Sequence, residues 1–263
     1  MTLQDLMRNP TGPGSAQFAG RKAIIGDLSR RLSVIAAKNE FETRLFTGED
    51  DEGPCEVWHV RVPSETLPAS VGFKWDVVIR LAAPSELTSV GLVRAAEARV
   101  FSNNPSFVFT YANAALKNEV LFEKLARKKL SKKAIDQAGS MRNPSSTMGF
   151  EKSIWFAMAI IVNDELYKRP SGLKVEKFDW KKIFSRVEDF DKISERYEYR
   201  IGIEAKKRQK ERKEERRQPK KKPTRNRSAT AKQPKKSVNK AKKTSTVRKV
   251  KKARKVGSSR RGR

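Results

Sequence analysis

The stretch Phe73-Lys74-Trp75-Asp76-Val77-Val78-Ile79-Arg80-Leu81 alternates in character. Phe73, Trp75, Val77, Ile79 and Leu81 fall on one side of an extended chain, and Lys74, Asp76 and Arg80 on the other. A period of two marks a half-buried strand, because successive side chains of a pleated backbone point to opposite faces. The same period predicts a strand over residues 56–62, with Trp58, Val60 and Val62 sharing a face. A third is predicted over 94–101, with Ala96, Ala98 and Val100 opposite Glu97 and Arg99. A fourth spans 106–111, with Phe107, Phe109 and Tyr111 opposite Val108 and Thr110, and a shorter one covers 43–46. The intervening segments are rich in turn formers and too short for crossover helices. The expected sheet is an antiparallel meander with one solvated face.

Helices are expected on either side of the meander. Ile24, Leu28, Leu32 and Ile35 recur at helical spacing within 19–38. Val120, Leu121 and Leu125 predict a helix over 118–129, and Ile154, Phe156, Met158 and Ile161 one over 151–168, ended by Pro170-Ser171-Gly172. A last helix starts near Trp180, with Val187, Phe190, Ile193, Tyr197 and Ile201 along its apolar edge. That stripe stops at Ile203, beyond which the helix can run to Arg217 on charge alone. Asn9-Pro10-Thr11-Gly12-Pro13-Gly14-Ser15 is dense in turn formers. The expected organisation is a flexible arm (1–18), an α+β domain (19–204) and a disordered polycationic tail (205–263). Within the domain, an N-terminal helix precedes a four- to five-stranded antiparallel meander and C-terminal helices on one sheet face. This element order resembles the ubiquitin-conjugating and RWD architecture. Conjugation, however, needs a cysteine after the sheet, and Cys55 sits at the start of a strand.

Charge divides the 263-residue chain unevenly. Its formal net charge is +29; residues 205–263 hold 28 Lys and Arg against Glu211, Glu214 and Glu215, which leaves +4 for residues 1–204. The tail has no Phe, Trp or Tyr. Such a composition cannot bury enough surface to offset its ordering entropy. Its cation density suits phosphates, whose condensed counterions are released on binding without sequence preference. Lacking aromatics, the tail cannot select single-stranded bases by stacking. The candidate phosphate contacts are Lys220, Lys221, Lys222, Arg225, Arg227, Lys235, Lys236, Lys242, Lys243, Arg248, Lys249, Lys251, Lys252, Arg254, Lys255, Arg260, Arg261 and Arg263. The expected partner is nucleic acid, double-stranded DNA ahead of RNA. No amphipathic stripe or lipidation motif accompanies the charge, so a membrane is not expected.

Other chemistry is sparse. The only histidine is His59 and the only cysteine Cys55, which excludes an internal disulfide and a structural zinc site of Cys and His ligands. A Ser-His-Asp triad would have to use His59. The apolar run 153–162 is too short to span a bilayer, which takes about twenty residues, and the N-terminus has no apolar stretch of signal-peptide length. Glu49-Asp50-Asp51-Glu52 is contiguous rather than alternating and precedes Gly53-Pro54, as in a solvated hairpin turn rather than a calcium loop. Gly14 to Gly20 followed by Arg21-Lys22 lacks the spacing and the Ser or Thr of a phosphate loop. His59 reads as a sheet-face residue and Cys55 as a passive thiol. No acid–base pair, metal set or cofactor motif emerges, and the expectation is a protein without enzymatic activity.

Several segments in series carry a resemblance. They are Trp75-Asp76-Val77-Val78-Ile79, Val100-Phe101-Ser102-Asn103-Asn104-Pro105-Ser106-Phe107-Val108-Phe109-Thr110-Tyr111-Ala112, Met141-Arg142-Asn143-Pro144 and Gly149-Phe150-Glu151-Lys152-Ser153, with the Asn9–Ser15 cluster before them. Over about residues 1–170 the chain resembles a poorly characterised family of small structural or virion-associated proteins of tailed bacteriophages. The resemblance implies a virion structural role, other virion proteins as partners, and a location in the virion or the host cytoplasm. It assigns no functional residue, and a basic tail of this size is not typical of the family. A free histone-like or RNA-associated accessory protein is the alternative.

Overall fold

The alternating stretch forms the strand Lys74–Ala82 (β3) near the middle of a five-stranded sheet. The computed structural model describes residues 1–8, 21–38, 40–136, 143 and 151–217. The other strands are Glu42–Asp50 (β1), Gly53–Pro63 (β2), Ala98–Ser102 (β4) and Lys174–Lys177 (β5), in the order β4-β3-β2-β1-β5. β1 to β4 pair antiparallel, and the register sets Leu45, Trp58, Ile79 and Val100 side by side on one face. β5 pairs parallel with β1, so the sheet is mixed. Its four residues, Lys-Val-Glu-Lys, are too few to show a period. At this join Phe178 N–H donates to Thr47 O at 2.8 Å, and a side chain on Gly48 would meet Phe178 Cβ at 2.9 Å. Only glycine admits the close approach there.

The protein is α+β. Helix Lys152–Asn163 (α7) lies on the face bearing Trp58, Val60, Val77 and Ile79. All its residues from Ser153 to Val162 are buried. A helix apolar all round needs cover on every side, and Leu3–Arg8 (α1) and Arg21–Ala36 (α2) pack against it in addition to the sheet. Leu28, Leu32 and Ile35 of α2 are buried as their spacing requires. Residues 1–8 therefore belong to the body rather than to a loose arm. Leu3 and Leu6 are buried, and Leu3 N–H donates to Ala96 O while Ala98 N–H donates to Met1 O, both at 3.0 Å. The turn-rich remainder of the expected arm, like the Gly14–Gly20 segment, lies outside the described residues.

The second sheet face is not solvated. Asp76, Arg80 and His59 are only 1%, 3% and 4% exposed. The C-terminal helices Trp180–Arg186 (α8) and Phe190–Arg217 (α9) explain this. Ile183 and Val187 are buried, and Glu188 N–H donates to Asp76 Oδ2 at 3.0 Å, so the α8–α9 junction covers this face. Cover on both faces corrects the expectation of helices on one face only. Residues 106–111 are not a strand. They enter a π-helical turn, Phe107–Tyr111, that continues into Ala112–Lys117 (α4). Asn104 Oδ1 accepts from Ser106 N–H at 2.8 Å, and Pro105 occupies the first helical position, both of which start helices. The segment 94–101 begins as the end of a short helix, Val90–Ala95 (α3), and becomes strand only from Ala98. The expected helix over 118–129 begins later, as Glu123–Lys129 (α5), after Glu119 adopts φ 56°. The helix expected over 151–168 ends at Asn163, before the 3-10 turn Leu166–Lys168. A further short helix, Lys132–Asp136 (α6), follows α5.

Candidate nucleic-acid interface

Helix α9 changes character along its length. Its first turns are anchored: Phe190 and Ile193 are buried, and Tyr197 packs on Phe73 and Trp75 with ring centroids 5.3 and 4.7 Å away. No described residue beyond Ile193 is buried. Residues 205–217 read Ala-Lys-Lys-Arg-Gln-Lys-Glu-Arg-Lys-Glu-Glu-Arg-Arg, eight cations against three carboxylates. They stay helical because nearly all are strong helix formers, assisted by Lys210 and Glu214 at 4.0 Å one turn apart. Among the described residues, Lys206, Lys207, Arg208, Arg212 and Lys213 have no carboxylate partner. Steps of three and four place Tyr199, Ile203, Lys206, Lys210 and Lys213 along one side of the helix. Tyr199 is 68% exposed. The thirteen residues make a cationic rod about 20 Å long at 1.5 Å per residue.

The boundary at residue 204, drawn on composition, thus falls inside a helix, and 205–217 is ordered as helix. The candidate contacts Lys220 to Arg263 lie outside the described residues. Sequence reasoning omitted the helical cations from its contact set. Their mark was legible: an unbroken run of helix formers with no Gly or Pro between Ile203 and Pro219.

The other polar residues of interest serve the fold. His59 Nε2 lies 2.9 Å from Asp76 Oδ1, which requires the proton on Nε2, and Asn103 Nδ2 donates to Asp76 Oδ2 at 2.9 Å. Arg80 reaches both oxygens of Asp50 at 2.7 Å. The acidic cluster is a hairpin turn, as expected, but a largely paired one: Asp50 and Glu52 face Arg80, and Asp51 binds Lys124. Burial pushes the neighbouring Cys55 thiol up to about 12, aided by the charge of Asp50, so it stays protonated and inert. Glu56 is buried, with Oε1 accepting from Arg169 Nη2 at 2.7 Å, and Arg169 also meets Glu86. Among the described residues, no three His, Cys, Asp or Glu side chains converge as metal ligands would.

Glu151 gives a clean test of this structural role. It caps α7, with Oε2 accepting from Ile154 N–H at 2.7 Å and Ser153 Oγ at 2.6 Å, while Oε1 is buried without a partner. Burial raises its carboxyl above the ordinary value despite those bonds. A carboxyl raised in the folded state penalises the fold while ionised, and the penalty is relieved as pH falls toward the unfolded value near 4.3. Glu151→Gln keeps the acceptor and removes the charge. It is expected to be more stable than wild type at pH 8, with the gain shrinking as pH falls and vanishing near pH 4 in paired urea melts.

Among the described residues, no helix is long and apolar enough to cross a membrane. Compared with known proteins, the chain matches no family model, no curated protein and no solved structure.

Proposed function

We propose that this chain is a non-enzymatic nucleic-acid-binding structural protein. Its α+β body docks on partner proteins, and its C-terminal cations hold nucleic acid without reading base sequence. The observation that supports this most strongly is the placement of charge. Residues 1–204 are nearly balanced, whereas α9 leaves the body as a cationic helix and is followed by 218–263, with 20 Lys and Arg and no acid. Polycations of this density bind phosphates through counterion release. The resemblance to tailed-phage virion proteins favours a place in a particle, with duplex DNA as the polyanion and other virion proteins as partners. A second reading, a free histone-like or RNA-associated protein, is favoured by the size of the cationic segment, which is not typical of those phage proteins.

Full-length protein is expected to bind a duplex of about 40 base pairs with submicromolar Kd at about 50 mM salt, and to bind scrambled duplexes equally well. Absence of binding, or a tenfold preference for one sequence, contradicts the proposal. The two readings separate by location: stoichiometric in purified particles, or free in infected-cell lysate.

A further inference from the structure

A groove of about 450 Å³ runs between α2 and the loop after β2, and Arg208 of α9 closes one side of it. Asp27, Arg30, Arg31, Val34 and Lys38 line the α2 wall, and Glu65 lies on the loop. The groove's carboxylates are oversubscribed. Asp27 pairs with Arg31 at 2.9 Å and Arg30 at 3.4 Å. Glu65 binds Lys152 at 2.7 Å and Arg31 at 3.6 Å. Two carboxylates thus serve three cations, and among the described residues Lys38 and Arg208 have no carboxylate partner. Both are exposed.

Among the described residues, Asp27 and Glu65 offset part of the positive charge around the groove, and Lys38 and Arg208 face it without a carboxylate partner. A polyanion lying in the groove would complement them. From Arg30 to Ala36 the α2 wall runs about 9 Å at 1.5 Å per residue, and Lys38 extends it just past the helix end, room for more than one phosphate of a duplex strand. The same helix α9 that supplies Arg208 runs on as the cationic rod to Arg217. The groove therefore stands beside the helical cations.

We infer that the groove between α2 and α9 is a second, body-borne contact for the nucleic-acid backbone, with Lys38 and Arg208 on opposite sides of one duplex strand. This rests on the nucleic-acid reading above and adds to it: the body orients the bound duplex, and the tail alone does not hold it.

The test uses the full chain and a random duplex of about 40 base pairs. Lys38→Glu with Arg208→Glu is compared with a control of equal charge change, Lys128→Glu with Lys181→Glu, both exposed and away from the groove. The groove pair is expected to lower the slope of log K against log salt by about 2, since each lost phosphate contact removes about 0.9. It should also weaken binding at least tenfold at about 100 mM salt, with the control slope unchanged. Equal losses in both pairs would overturn the inference and leave the nucleic-acid reading standing, because the effect would then be long-range charge. Absence of duplex binding by the wild type would overturn both. Acetylation of the unmodified protein supplies a readout independent of folding. Duplex should protect Lys38 severalfold while Lys128 and Lys181 react as in the free protein, and unprotected Lys38 would overturn the inference.

Discussion

Arg80→Ala is expected to cost about 3–5 kcal/mol of folding stability, read as a lowered urea midpoint with an unchanged slope. Arg80 lies in β3, 3% exposed, and the Asp50 it pairs with has a side chain only 2% exposed. The two share a bidentate bond, and Arg80 Nη2 also reaches Gly53 O at 3.4 Å. Removing the guanidinium leaves a carboxylate out of water with no counter-charge, which is far costlier than never having had the pair. Asp50→Leu with Arg80→Met should accordingly recover most of the loss. It would not recover all of it, because Asp50 Oδ1 also accepts from Glu52 N–H at 2.9 Å and shapes the hairpin turn. A double variant as unstable as the single would show that the pair is not the cause.

Asp76→Ala is expected to have a similar effect, about 3–5 kcal/mol, because three donors, two of them buried, lose their acceptor together. Those donors are His59 Nε2, Asn103 Nδ2 and Glu188 N–H. They come from β2, the residue after β4, and the α8–α9 junction, so one carboxylate ties the sheet to its second layer of helices. Burial alone would raise the Asp76 carboxyl; hydrogen bonds from His59 and Glu188 N–H, with Arg61 nearby, outweigh it and hold the group below the ordinary carboxylate range. A carboxyl depressed in the folded state contributes stability that is present above the unfolded value near 3.9 and lost as pH falls below it. Wild type should therefore lose stability below about pH 4 more steeply than Asp76→Asn. Parallel acid limbs for the two would show that Asp76 is not a source of the acid sensitivity.

These two sites also show where the sequence was misleading. The alternation from Phe73 to Leu81 located β3, and its apolar side is the one that meets α7. Its polar side looked like a solvent face, because a lone strand does not reveal which charges have partners. Asp50 and Arg80 are 30 residues apart in sequence, Asn103 lies 27 residues from Asp76 and Glu188 112, and nothing local names Asp76 as their acceptor. Phe107-Val108-Phe109-Thr110-Tyr111 fits a period of two and yet forms a helical turn, because Asn104-Pro105 sets a helix start just before it. That pair was visible in the sequence and is the stronger local constraint. β5 carried no readable pattern, since it is a strand only by pairing with β1. For the interface, charge alone marked the C-terminal segment. The groove proposed between α2 and α9 could not be seen in this way, because Lys38 and Arg208 are 170 residues apart in sequence and line it together only in the fold.

On the function proposed above, the C-terminal cations, not the body's fold, provide most of the grip on nucleic acid. No described residue beyond Ile193 is buried, so chains ending at Glu204 or Arg217 keep the whole core. The most direct measurement is the salt dependence of duplex DNA binding by the full chain and by these two truncations. The full chain should bind most tightly and with the steepest slope. Ending at Arg217 should remove several units of slope, and ending at Glu204 should leave no submicromolar binding at about 50 mM salt. A chain ending at Glu204 that binds as tightly and as steeply as the whole protein would contradict this division of labour.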